Sequence, residues 1–422
     1  MIFLPFIFFC TLTYWLFRKH KRFDVCVYIS SLYAFSTFCA ILIYYLGLLD
    51  EGGVLFDETD YETNLIPTIL FCVCLSLSIL PFSMIYGNDM KKIVMPNPKL
   101  LYVISWILIA VSLLNTYIVA DSTLDILQGD LNAVREAAYQ GLMTPAQIKA
   151  ESLPSFLKYL YILNASTYLC LPLFFYYLCF EEKKWWFKTL LFYASLSVPI
   201  AGIQAVERTE FMLYVMLFIL SLILFLPFLT KAAKRIISVV GTLFIVLSFV
   251  FLVAVSLSRF GDREGGAEAS AIEYAGQGYL NFCFFWEHAN FDIISAEREF
   301  PLFYHFVYKI DSTDSRRSER SGQHGFFISV FPTFIGDLML DISPIGMIVW
   351  IIYFFLLCII VIKQSHRDEF TIGEILAIYV LATIPLFGVF YYRYHFCNAT
   401  FMLLLTLLIY MISICEIRLW KE

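Results

Sequence analysis

The chain has 422 residues, of which 60% are hydrophobic, 18% aromatic and only 15% charged, with a formal net charge of −6. Its mean hydropathy is +0.76. Soluble domains carry about 25% charged residues, so the composition excludes a soluble globular protein, and no nucleic-acid partner is expected.

Crossing roughly 30 Å of hydrocarbon takes about 20 helical residues, and a backbone in lipid must satisfy its own hydrogen bonds. Run after run meets that length, while the short alternating segments of a β-barrel are missing. The expected fold is an all-α polytopic membrane protein. A single integral domain covers 1–422, with about eleven spans near 1–17, 25–49, 65–86, 100–120, 156–180, 190–206, 211–229, 236–257, 342–362, 372–390 and 396–415. The first run is followed by Arg18, Lys19, His20, Lys21 and Arg22. A signal peptide has its positive charges before the apolar stretch, so this run is expected to stay as a span.

Alternate loops carry the basic residues: 18–22, Lys91/Lys92/Lys99, Lys183/Lys184/Lys188, Lys231/Lys234/Arg235, Lys363/Arg367 and Arg418/Lys421. Lys and Arg mark short cytoplasmic loops, which puts the N-terminus in the periplasm and the C-terminus in the cytoplasm of a multi-pass inner membrane protein. Segments 50–64, 121–155, 207–210, 258–341 and 391–395 then fall on the outer face. The acidic 50–64 segment lacks the Gly-centred spacing of a calcium loop and reads as a solvated loop. The 121–155 segment reads as amphipathic, with a helix around 133–139 and a second one opened by Thr144 with Pro145 at its first position. Cysteines fall mostly within spans, with Cys283 alone well inside an outer segment, so no disulfide framework can be argued. No P-loop, dinucleotide-binding glycine pattern, nucleophile elbow or CxxC is present.

Candidate chemistry concentrates in three places. In Glu207-Arg208-Thr209-Glu210, an arginine at the junction of two apolar runs is either a phosphate ligand or a snorkelling turn residue. The 258–341 segment, expected to hold active-site elements, carries Arg259, Arg263, Tyr274, Tyr279, Asn281, Trp286, Glu287, His288 and His324. Arginine, histidine, carboxylate and aromatics together suit an anionic, sugar-bearing lipid. In 326–350, Pro332 and Gly336 suggest a short interfacial helix that turns before a span starts near Ile342, with Asp337 either facing a polar cavity or capping the helix.

Three of these pieces resemble the bacterial oligosaccharide repeat-unit polymerases, the O-antigen polymerases of lipopolysaccharide biosynthesis. They are Ala205-Val206-Glu207-Arg208-Thr209, Tyr274-Ala275-Gly276 followed by Asn281-Phe282, and Thr333 through Gly336-Asp337 into Ile342-Ser343-Pro344-Ile345-Gly346. Where that family has a tyrosine-rich element after Gly336, this chain has Asp337-Leu338-Met339-Leu340-Asp341. The resemblance implies a metal-independent, cofactor-free inverting glycosyltransferase that moves a growing glycan from undecaprenyl diphosphate to a new lipid-linked oligosaccharide unit on the periplasmic face. It also implies a chain-length regulator and a flippase as partners. On that reading Arg208, Arg259, Arg263 and Arg393 bind the diphosphate, and Tyr274, Tyr279, Asn281 and Trp286 contact sugar. Glu287, His288, His324 or Asp337 takes the acceptor proton, with Glu287 the first choice. An O-antigen ligase or related lipid-phosphate-sugar transferase, and a lipid-linked glycan transporter, remain alternatives.

The charge phase makes a direct prediction. A cysteine placed within 258–341 should react with an impermeant maleimide from outside intact cells, and one at Glu422 only after permeabilisation. The reverse pattern would overturn the orientation.

Overall fold

The computed structural model describes residues 1–48, 63–85, 92–94, 97–128, 145–180, 183–203, 209–260, 266–292, 295–309, 320–326, 328, 330–364 and 369–421. The acidic stretch 50–62, the expected helix around 133–139 with Thr144, Arg208, Arg263 and the run 311–319 lie outside the described residues.

The helices are α1 (Phe3–His20), α2 (Val25–Leu46), α3 (Leu65–Ile79), α4 (Pro98–Gln128), α5 (Pro145–Glu151), α6 (Ser155–Ile162), α7 (Cys170–Phe180), α8 (Trp185–Ser195), α9 (Ser197–Gly202), α10 (Thr209–Phe225), α11 (Lys231–Phe260), α12 (Gly266–His288), α13 (Thr333–Gln364), α14 (Ile372–Phe387) and α15 (Cys397–Lys421). Short helical turns at Leu80–Met84, Leu163–Leu169, Leu226–Phe228, Pro301–Phe303, Tyr304–Tyr308 and Arg393–His395 and two three-residue strands, β1 (Lys92–Val94) and β2 (Glu369–Thr371), lie between them.

Among the described residues, seven helical stretches are long and apolar enough to cross a membrane: Val25–Leu46, Leu65–Met84, Pro98–Ala120, Ser155–Phe180, Thr209–Phe228, Thr333–Lys363 and Cys397–Cys415. The chain is therefore a membrane-embedded helical protein. The expected span at 190–206 is not one continuous helix. It divides into α8 and α9 at Leu196, and residues 204–206 lie outside the described set.

By its internal contacts the chain divides into two units, one of Met1–Lys92, Glu264–Phe370 and Val380–Leu403, the other of Ile93–Arg263, Thr371–Tyr379 and Leu404–Glu422. In the second unit polar groups cross-link the apolar helices. Asn115 donates to the Ser197 carbonyl at 2.8 Å, Ser197 donates to Asn164 Oδ1 at 2.7 Å, and the Tyr168 hydroxyl donates to Glu210 at 2.6 Å. Away from water such side-chain hydrogen bonds hold helices together where apolar contact gives no preference over lipid. At the start of α14, Thr371 and Glu374 form a reciprocal cap, each backbone N–H bonded to the other's side chain, which satisfies two otherwise orphaned donors.

The first unit is built around α12. Asp24 caps α2 by accepting the Val27 N–H at 3.0 Å, and Gly47 ends it with a positive φ of 60°. Midway along, Ser36 of α2 donates to the Ala275 carbonyl of α12 at 2.7 Å. There a Cβ on Gly276 would lie 2.5 Å from the Ala40 nitrogen, so only glycine permits the approach. On another side Tyr279 meets α3, its hydroxyl 2.7 Å from Thr68 Oγ1 and its ring edge-on to Phe71. Residues 266–288 of the expected 258–341 outer segment thus form a 23-residue helix seated against α2 and α3. Its low apolar content hides it from a hydropathy reading, but small residues at the contact allow close helix packing.

The last feature of this unit is a break in α13. Ile342 (φ −123°, ψ 16°) and Ser343 (φ 69°, ψ 165°) are not helical, which separates a short leg, 333–341, from the apolar leg, 344–364. Pro344 opens the second leg, where its missing N–H costs nothing.

Candidate functional site

A helix that stops leaves its last carbonyls without partners. At the break in α13 the Asp341 carbonyl is taken by the backbone N–H groups of Ser295 and Ala296, at 3.1 and 3.5 Å. Ala296 adopts a positive φ of 51° to make this turn, and Thr333 (66°) and Ser343 (69°) sit at the two ends of the short leg with the same left-handed backbone. Three non-glycine residues in that region on one motif mean strain, which gathers where function demands a particular geometry.

The turn delivers Arg298 to the short leg. Asp337 and Asp341 stand four residues apart, on one face of the helix. Arg298 Nη1 donates to Asp337 Oδ1 at 2.6 Å and its Nε lies 3.8 Å from Asp341 Oδ2. The other Asp337 oxygen accepts the Tyr392 N–H at 2.6 Å. Residues 320–324 are helical and bring Arg320 into an ion pair with Asp341 Oδ1. Asp337 is 2% exposed and Asp341 0%, with Glu299, Arg320 and His324 at 8%, 8% and 7%.

Two arginines therefore share a buried site with three acids. Burial works against the charge on Arg298, but the Asp337 and then Asp341 carboxylates outweigh it and hold the guanidinium protonated. Glu299 goes the other way: burial, and then the Asp341 charge, push its carboxyl well above the usual range, and Arg298 and Arg320 offset this only in part. Burial and the Arg320 charge lower the His324 imidazole below its ordinary value, keeping it neutral at physiological pH.

Several buried groups in this site have no hydrogen-bond partner among the described residues. They are Arg298 Nη2, Arg320 Nε, both Glu299 oxygens and both His324 ring nitrogens. Buried polar groups in folded proteins are nearly always satisfied, so unspent donors beside unspent acceptors mark a place for water or a polar ligand. Two guanidinium groups can grip an oxyanion, a neutral imidazole can accept a proton, and a neutral carboxyl can donate one.

Of the residues singled out by sequence, the structure brings His324 and Asp337 to this site. Glu287 and His288 are exposed at the end of α12. Glu287 accepts a hydrogen bond from Asn64, while His288 stacks on Phe284 at 4.2 Å with its Nδ1 3.1 Å from the Phe284 carbonyl. Because α12 stays regular through both, neighbouring side chains point about 100° apart and do not form a dyad. Trp286 is half-buried beside them.

Tyr279 has no face for a sugar, being 1% exposed and packed on α3. Asn281 is fully buried and donates to Gln277 Oε1 (3.1 Å) and the Phe331 carbonyl (3.2 Å), fixing the strand of chain that enters the short leg. Tyr274 is half-buried with its ring 5.5 Å from Phe331. Arg393 is half-buried next to Tyr392, donates to the Tyr391 hydroxyl at 3.1 Å and lies over the Phe387 ring. The backbone of Arg259 belongs to α11, but its side chain is outside the described set, as are Arg208 and Arg263 entirely. Sequence reasoning missed Arg298, Glu299 and Arg320, and met Asp341 only as the end of the run that follows Gly336. The available signal was the four-residue spacing of Asp337 and Asp341.

In comparison with known proteins the chain matches no protein-family model, no curated protein and no solved structure.

Removing one member of a buried ion-pair network strands the others and costs about 3–5 kcal/mol. Asp341→Asn should lower the thermal stability of the detergent-solubilised protein by that order, and adding Arg320→Met should restore part of the loss. An Asp341→Asn protein as stable as wild type would contradict the network.

Proposed function

We propose that this chain is a glycosyltransferase that polymerises lipid-linked oligosaccharide repeat units on the outer face of a bacterial inner membrane, carrying the growing glycan from undecaprenyl diphosphate to a new lipid-linked unit. The observation that carries this reading is the pair Arg298, its side chain 12% exposed, and the buried Arg320, in a helical membrane protein, with guanidinium donors still unspent among the described residues. Ionisable groups in such surroundings are costly and are by default functional. A donor that departs as a diphosphate needs that kind of partner.

In the reaction, an acceptor sugar hydroxyl attacks the anomeric carbon of the donor glycan and forms the new glycosidic bond. The bond from that carbon to the phosphate oxygen breaks, with its electron pair passing to the diphosphate. Arg298 and Arg320 meet the growing charge, and donors fixed in advance at such a position are worth roughly 10²–10³ in rate. The hydroxyl proton passes to His324, whose neutral ring has both nitrogens unengaged among the described residues. Asp337 and Asp341 hold the two guanidinium groups in position. Arg208, Arg259, Arg263 and Arg393 remain candidates for the rest of the diphosphate, and Tyr274 and Trp286 for the sugar. The wider reading also has eleven spans with the N-terminus outside.

The test uses purified protein and a synthetic undecaprenyl-diphosphate repeat unit. Lysine keeps the charge of arginine but loses its bidentate fork. Arg298→Lys and Arg320→Lys should each cut polymer formation by about 10²-fold in protein that still melts near the wild-type temperature, and Glu287→Gln should stay within a few-fold of wild type. Full activity of both lysine variants would overturn the site. Transfer of glycan to a non-repeat-unit acceptor, with no polymer, would make the enzyme a ligase.

A further inference from the structure

Neither Glu299 oxygen has a hydrogen-bond partner among the described residues. Asp337 spends its oxygens on Arg298 and the Tyr392 N–H, and Asp341 faces Arg298 and Arg320. That leaves two guanidinium charges matched by two aspartates, and a third acid, Glu299, 8% exposed and with no counter-charge of its own among the described residues. An ionised carboxylate taken out of water without a partner is expensive enough that the group takes up a proton instead. We propose that Glu299 is held as a neutral carboxylic acid and donates a hydrogen bond to a phosphate-type oxyanion seated against Arg298 and Arg320, so that the anion enters this site together with a bound proton.

Burial and then the Asp341 charge raise Glu299, and Arg298, its own backbone N–H and Arg320 oppose them only in part. From the short leg of α13 comes Asp341, which repels a second negative charge. From 320–324 comes Arg320, already tied to Asp341, with His324 neutral beside it. Arg298 precedes Glu299 in the chain and is committed to Asp337. The Tyr304 and Tyr392 phenols also feel the Glu299 charge, and both stay protonated because burial raises them further above an already high ordinary value. No described neighbour supplies the uncommitted positive charge that an ionised Glu299 would require.

An oxyanion arriving here would meet an ionised Glu299 as a like charge. It meets a neutral one as a donor, which is how a protonated carboxylic acid serves an oxyanion hole. The sign of the pH dependence follows. Glu299 carries its proton below its raised value in the folded protein, so anion binding is at full strength there. As pH rises through that value the proton is lost and affinity falls, approaching about tenfold per pH unit when one proton is linked.

The inference rests on reading the arginine pair as an anion grip and is independent of which glycan the anion bears. Sulfate is the probe, because it does not itself titrate between pH 6.5 and 10, a range that also lies above the His324 transition. Its binding is measured by calorimetry on the full-length protein in detergent. Wild type should bind more weakly as pH rises, whereas Glu299→Gln, a neutral donor at every pH, should bind with constant affinity. In the infrared difference spectrum, sulfate should shift a protonated-carboxyl band of the wild type that Glu299→Gln lacks, which reads the same proton if that variant proves hard to purify. Wild-type affinity that is flat to pH 10 with no such band, while Arg298→Lys and Arg320→Lys still abolish binding, would overturn the role of Glu299 and leave the anion grip standing. Sulfate binding that ignores both arginine variants would overturn the grip and the inference together. Displacement of sulfate by a short prenyl diphosphate at lower concentration than by inorganic phosphate assigns the anion to a lipid headgroup. Equal displacement assigns it to free phosphate, and the Glu299 proton is required in either case.

Discussion

Two carboxylates one helical turn apart, buried where their helix breaks, set the terms for the first unit of this protein. Asp337 and Asp341 cannot lie away from water without counter-charges. Arg298 and Arg320 supply them from two separate stretches of chain. The break at Ile342 and Ser343 frees the Asp341 carbonyl, and the turn that caps it carries Arg298 into place. The Tyr392 N–H completes Asp337 and ties in the segment after α14. Backbone capping and side-chain ion pairing therefore recruit the same residues.

Such a cluster is a poor way to stabilise a fold. Well-packed apolar residues of similar volume often do as well as a buried ion pair or better, and a chain with 60% hydrophobic residues has no shortage of them. Most of the unit is held by other means: the glycine-permitted contact of α12 with α2, the Tyr279 wedge against α3, and the Asn281 bonds to the incoming chain. The cluster adds little net stability although breaking it is costly, and its open donors and acceptors among the described residues suit a polar ligand.

The helical membrane class is legible from composition alone, because only spans explain so many long apolar runs. The division of α13 was legible too, since Pro332, Gly336 and Pro344 bracket two aspartates that a plain span would not hold. The helix α12 was obscured by its own packing chemistry: Gly276 and Ala275 serve close approach to α2, and the same small residues dilute the apolar signal. Tyr279 was misread because an aromatic that fills a gap between helices looks, in sequence, like one that stacks on sugar. Arg298 and Glu299 could not be found at all, since Ala-Glu-Arg-Glu-Phe has no motif and gains its meaning only when the turn at Ala296 caps the broken helix.

The proposed seat of a phosphate-bearing lipid between Arg298 and Arg320 can be seen or refuted in a structure of the protein with an undecaprenyl diphosphate bound. Density for the diphosphate is expected within hydrogen-bond distance of both guanidinium groups and of Glu299. Diphosphate density held instead by Arg208, Arg259 or Arg263, with the Arg298 and Arg320 site empty of it, would rule this seat out.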